Sequence, residues 1–102
     1  MERVAFIMQL KEGSLEEYKR RHDEIWPELS KLIKEAGVSD YSIFLEPKTL
    51  QLFAVQKKVE TPVELAKEPI MRKWWDYMAD LMEVNPDNSP VCVDLVEIFH
   101  LE

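Results

Sequence analysis

The sequence predicts an α+β domain built on a four-stranded antiparallel sheet with its helices on one face. Two observations carry this. Four stretches alternate apolar residues at the two-residue period of a strand, and two repeat them at the three-to-four spacing of a helix face. The stretches follow one another as β-α-β-β-α-β, the split βαβ pattern of ferredoxin-like domains.

Arg3 to Leu10 opens the chain with Val4, Phe6, Met8 and Leu10 on one side and Ala5, Ile7 and Gln9 on the other. Both faces are largely apolar, as in a central strand. Gly13 to Gly37 follows as a helix whose inner face reads Leu15, Tyr18, His22, Ile25, Leu29, Leu32 and Ile33. Ser14 and Glu17 fit a capping box, and Gly37 supplies the stop. The other face, with Glu16, Lys19, Arg20, Asp23 and Lys34, is expected to be solvated. Pro27 cannot donate a backbone hydrogen bond, so it either kinks this helix, shaping a cavity beside His22 and Trp26, or begins a second helix, the reading preferred.

Asp40 to Glu46 is the second strand, with Tyr41, Ile43 and Leu45 on one face. A short turn at Pro47, Lys48 and Thr49 leads into a third strand, Leu50 to Val59, making a hairpin. Thr61, Pro62 and Glu64 carry helix-start signals for a short helix that Pro69 interrupts. Ile70 to Met82 then continues as a helix with Met71, Trp74, Trp75, Met78, Leu81 and Met82 along a wide apolar stripe. NPDNSP, Asn85 to Pro90, is all turn-forming, and Val91 to Leu101 reads as the last strand.

Two helices cover only one side of four strands, yet apolar residues occur on both sides. The uncovered face is expected to pack on a second copy, giving a two-fold homodimer with the two sheets closing a dimeric α/β barrel.

At 102 residues the chain forms one domain, residues 1–102, and 46% hydrophobic residues with only two glycines mark it as globular. A net charge of −7 argues against nucleic acid and anionic membrane as partners, because both are bound through Lys and Arg. No apolar run is long enough to span a bilayer, and MERVAFIMQL is unlike a secretion signal, so a cytoplasmic location is expected. The single Cys92 has no disulfide partner and reads as a small buried hydrophobe.

His22 is the sharpest candidate for chemistry, since imidazole both accepts and donates protons near neutral pH. A hydrogen-bonded core histidine is the competing reading. Tyr18, one turn away on the inner face, adds a second polar tip that a small polar ligand would satisfy. Trp74 and Trp75 point about 100° apart on a helix, so one could line a pocket, although packing is the preferred role. Tyr41 shares that ambiguity. Asp87 and Asn88 could face a ligand from their loop or merely stiffen it, the latter preferred. No Gly-rich phosphate loop, nucleophile elbow or His/Cys cluster at zinc spacing is present. His100 stands without a companion.

EYKRRHDEIWPEL, KWWDYMADLM and NPDNSPV, in this order and spacing, closely resemble the L-rhamnose mutarotase family, and the similarity spans essentially the whole chain. The resemblance implies interconversion of the α and β anomers of L-rhamnose by a dimeric ferredoxin-like barrel without a metal or organic cofactor. It implies His22 as catalytic proton donor and Tyr18, Tyr41, Trp74 and Trp75 as substrate-binding residues. Lys73 replaces the arginine usual in the family, which leaves those contacts intact. Two other readings stay open beside it: a cofactor-free monooxygenase or haem-degrading protein on a similar barrel, and a non-catalytic sugar-binding module. An RNA-recognition domain conflicts with the acidic charge.

Overall fold

The computed structural model describes residues 2–59 and 64–102. Strand β1 (Glu2–Gln9) leads into helices α1 (Leu15–Asp23) and α2 (Pro27–Glu35), the hairpin of β2 (Val38–Glu46) and β3 (Gln51–Lys58), helix α3 (Pro69–Met78) and a short β4 (Val93–Asp94). The sheet order is β2-β3-β1-β4, and every neighbouring pair is antiparallel.

The helical stretch between the glycines is two helices rather than one. Pro27 takes the first position of α2, where its missing N–H costs nothing and its fixed φ suits the helix, so the break falls at residues 24–26. The expected capping box does not form. Ser14, at φ −100 and ψ −3 rather than the extended backbone usual for a cap, makes no side-chain cap bond, and its N–H donates to the Lys11 carbonyl while the Glu17 carboxylate accepts from Arg20 and Arg21. Gly37 ends the helical region at φ +91, a conformation only glycine adopts freely.

The Thr61 and Pro62 start signals lie outside the described residues. Past them the chain makes one 3-10 turn, Leu65–Lys67, before Pro69 opens α3. Helix α3 stops at Met78, four residues earlier than expected. A 3-10 turn over Ala79–Leu81 tightens its end, and Met82 turns extended to bridge Leu10, the backbone N–H of Glu83 donating to the Gln9 carbonyl.

The core lies between the helices and one sheet face. Leu29 and Ala54 are fully buried, and Met8, Leu10, Tyr18, Leu52, Trp74 and Met78 surround them. The opposite face stays bare within the chain. Register aligns Val93, Ile7, Phe53 and Phe44 in one row across all four strands, with Phe44 65% and Val93 59% exposed.

The last strand is far shorter than Val91 to Leu101. Only Val93 and Asp94 pair with β1, after which Leu95 N–H donates to the Ala5 carbonyl and Arg3 pairs with Glu97. Beyond that edge the segment meets no further backbone of the sheet, and Ile98 is 94% exposed. Cys92 is exposed, not buried, because it sits just outside the short paired segment on this edge.

Candidate active site

Helix α1 sets Tyr18 and His22 one turn apart on its inner face, with ring centroids 4.3 Å apart. The His22 Nδ1–H donates to the Tyr18 carbonyl at 3.0 Å, since a carbonyl can only accept. This bond fixes the tautomer of the neutral ring and leaves the lone pair on Nε2. Helix α3 brings in Trp74, 5% exposed, whose indole meets the His22 ring edge-on at 5.5 Å and 89°.

The third element is β2, where the register with β3 shifts between Ser39 and Ser42. Asp40 takes up the extra residue at φ +46, a left-handed conformation that aspartate tolerates better than most residues. After this bulge Tyr41 lies on the helix-covered side, two residues before Ile43 of the core margin.

These residues wall a cavity of about 670 Å³ between α1, α2, α3 and β2. Tyr18, His22, Tyr41 and Trp74 all line it, and Ile25, Leu29, Ile43 and Leu52 make much of the remainder apolar. Its size suits a small ligand, and its few polar tips converge on an otherwise oily wall.

Burial controls the titration of these groups. It holds the His22 imidazole below the ordinary 6.5, outweighing the opposing effects of the Tyr18 carbonyl and the Asp23 charge. His22 is therefore neutral at pH 7. Burial also pushes Tyr41 up to about 12 and Tyr18 well above the ordinary 10, so both phenols keep their protons. Over the whole residue Tyr41 is 42% exposed. The site thus combines a neutral base with two protonated weak acids.

Three of the residues considered stand elsewhere. Trp75 does not line the cavity; its successor position on α3 turns it about 100° from Trp74, and the Arg72 guanidinium lies 5.7 Å from its ring centre. Asp87 and Asn88 are likewise outside. The Ser89 hydroxyl and backbone N–H donate to Asp87, Arg72 approaches it at 3.5 Å, and Asn88 Nδ2 donates to Asp76 at 3.1 Å. These bonds tie the loop to Arg72 and Asp76 of α3. Among the described residues no three His, Cys, Asp or Glu side chains cluster to hold a metal ion.

The family model described as L-rhamnose mutarotase matches residues 3–101. The chain belongs to that family. L-rhamnose mutarotases from Agrobacterium fabrum and Phocaeicola vulgatus are 58% and 53% identical to it, covering 99% and 100% of this chain and 96% and 100% of their own. The crystal structure of the L-rhamnose mutarotase from Formosa agariphila superposes with a TM-score of 0.95 at 53% identity, covering both chains completely.

Within this mutarotase fold, several site neighbours escape a reading of the sequence. Lys19 and Asp23, expected on the solvated face, pair with each other at 2.7 Å on the cavity rim, and Lys34, Ser30, Ser39 and Asp40 also reach it. Arg21 is the larger omission. Its side chain is only 12% exposed, bonded to Glu17, the Tyr77 carbonyl and Asp80. The Glu17 to Arg21 spacing of four was readable as a helix pair; the contacts with Tyr77 and Asp80 depend on how α1 meets the end of α3.

Proposed function

We propose that this chain is a mutarotase that interconverts the α and β anomers of L-rhamnose, with His22 as the residue that moves the proton at O1. The observation that carries this reading is a neutral imidazole, locked in one tautomer, on the wall of a cavity it shares with two protonated phenols. Mutarotation needs such a pair: one group to take a proton from O1 and one to give a proton to the ring oxygen O5.

In the opening step Nε2 of His22 takes the O1 proton, C1=O1 forms, the C1–O5 bond breaks and O5 receives the phenolic proton of Tyr18. Rotation about C1–C2 presents the other face of the aldehyde. On reclosure O5 attacks C1 and returns its proton to Tyr18, while the His22 imidazolium donates to O1. The family resemblance implies His22 as proton donor; a ring kept neutral by burial accepts first and donates in the return step. Electrons and protons balance between the sugar and the two side chains, so the step calls for no redox partner, metal or group carrier. Tyr41 and the edge of Trp74 bind the sugar, the indole offering an apolar surface to its C–H groups and C6 methyl. Trp75 stands outside the cavity of the single chain, so a role in sugar binding would have to come from a rearranged or assembled form.

Three further readings accompany this one. Residues 1–102 act as a single domain. The bare row Val93, Ile7, Phe53 and Phe44 is the face of a homodimer in which two sheets pack together, as an exposed apolar row on both sides of a twofold axis would favour. The protein works in the cytoplasm on a free sugar; among the described residues no helix is long and apolar enough to cross a membrane.

Polarimetry on freshly dissolved L-rhamnose tests the activity. The optical rotation should reach its equilibrium value faster in proportion to added protein. A relaxation rate equal to that of buffer alone would overturn the assignment.

A further inference from the structure

Trp26 is absent from the cavity lining, yet its ring is held between two aromatic neighbours, one of them the cavity-lining Trp74. It is the residue before Pro27, in the short extended link between α1 and α2, and its carbonyl accepts from the N–H groups of Leu29 and Ser30 at 3.0 Å each. Its indole meets Trp74 edge-on at 5.1 Å and 86° and stacks on Tyr77 at 5.5 Å and 27°. The Arg21 guanidinium covers the Tyr77 ring at 4.3 Å and is itself held by Glu17 and Asp80. Arg21 adjoins His22, and Trp74 meets His22. With the peptide bond between Arg21 and His22 the contacts close on themselves: His22, Arg21, Tyr77, Trp26, Trp74 and back to His22.

The closed circuit matters because the two residues that face the sugar across one wall belong to different helices, His22 to α1 and Trp74 to α3. Nothing in either helix alone fixes the angle between their rings. Edge-to-face and stacked aromatic contacts are directional, since the positive edge of one ring seeks the negative face of the next. Trp26 presents one ring to both Trp74 and Tyr77, edge-on to the first and stacked on the second, whereas the direct Trp74 to Tyr77 contact, at 5.7 Å and 58°, is tilted.

Building on the mutarotase reading above, we infer that Trp26 is a positioning residue for the anomer exchange, holding the Trp74 indole, and through it the His22 ring, at the angle the sugar meets. Arg21 and Tyr77 anchor it from the surface side. An interaction of this kind is worth about 0.5–1.5 kcal/mol, so its loss should reduce kcat/KM by about two- to twelvefold in a protein that remains folded.

The test compares Trp26→Met with Trp26→Phe in the anomer-exchange assay, with thermal unfolding and near-UV circular dichroism as checks of folding. Both variants lose bulk, but only phenylalanine keeps an aromatic face for Trp74. Trp26→Met should raise KM and lower kcat, and Trp26→Phe should restore most of both. A folded Trp26→Met enzyme with wild-type kcat and KM overturns the inference, as does a Trp26→Phe enzyme no better than Trp26→Met, because then only bulk is at stake. If Trp26→Met does not fold, Tyr77→Leu against Tyr77→Phe decides by the same criteria, since Tyr77 is 38% exposed and outside the cavity. A purely structural role lowers the melting temperature without moving kcat or KM of the folded protein, and so counts against the inference. Wild-type protein without activity would sink the mutarotase reading and this inference with it; active wild type beside a normal Trp26→Met sinks only the inference.

Discussion

Replacing Tyr18 by phenylalanine separates what the phenol does for the fold from what it does for the reaction. The ring is 6% exposed and packs against His22 at 4.3 Å, and phenylalanine keeps that packing unchanged. Burial is the main cause that raises the phenol above its ordinary value, and among the described residues no hydrogen-bond partner is orphaned when the oxygen goes. The stability change should stay within about 1 kcal/mol, the usual net worth of a single hydroxyl contact. The reaction should suffer far more. General-acid help from a positioned side chain is worth about 10²- to 10⁴-fold, or roughly 3–5 kcal/mol of barrier, and this is the loss expected in kcat. Thermal unfolding gives the first quantity and relaxation of optical rotation the second. A Tyr18→Phe enzyme with full turnover refutes the proton transfer to O5. In that case Tyr41→Phe should show the loss instead, since Tyr41 is the other protonated phenol in the cavity. A stability loss of several kcal/mol would refute the claim that the hydroxyl serves the cavity rather than the core.

Other outcomes rest on the same geometry. His22 has a folded-state pKa below 6.5, so kcat/KM should hold at neutral pH and fall as the pH drops through that depressed value; an acid limb centred above 6.5 would contradict it. By the same sign, the stability that neutral His22 contributes is present above pH 6.5 and is lost as pH falls through the folded value, which urea titrations at stepped pH would detect. Gly37→Ala should cost about 1–2 kcal/mol from the positive φ alone, with added crowding against the Val59 side chain; an unchanged urea midpoint would refute the strain. Phe53→Glu places a charge in the apolar row, so sedimentation should show twice the 12.1 kDa of one chain for wild type and a single chain for the variant. Wild type sedimenting as a monomer would refute the dimer.

The sequence made the architecture legible because strands and helices announce themselves through local periods. Arg3 to Leu10 and the Tyr18, His22, Leu29 face needed nothing but spacing, and Pro27 marked its own helix start. The features that could not be read depend on contacts between distant residues. The bulge that aims Tyr41 requires the β2–β3 register, and Asp40 carries no signal of it beyond its tolerance for a left-handed backbone. The Ser14 capping box is a local exception: its signal was present, but Glu17 pairs with Arg20 and Arg21 three and four residues on, and Ser14 does not adopt the extended backbone of a cap. Val91 to Leu101 alternates like a strand, but within one chain only two of its residues find a ladder. The split between Trp74 in the cavity and Trp75 outside was foreseen as an angle, without a way to say which would face the sugar.

The most direct measurement is NMR magnetisation exchange between the two anomeric protons of equilibrated L-rhamnose, with wild-type protein and with a folded His22→Ala variant. Exchange quickened by wild type and lost in the variant is the result expected if His22 moves the proton at O1. No acceleration by wild type would contradict the mutarotase assignment itself. Full acceleration by the variant would leave the activity standing and remove His22 from its centre.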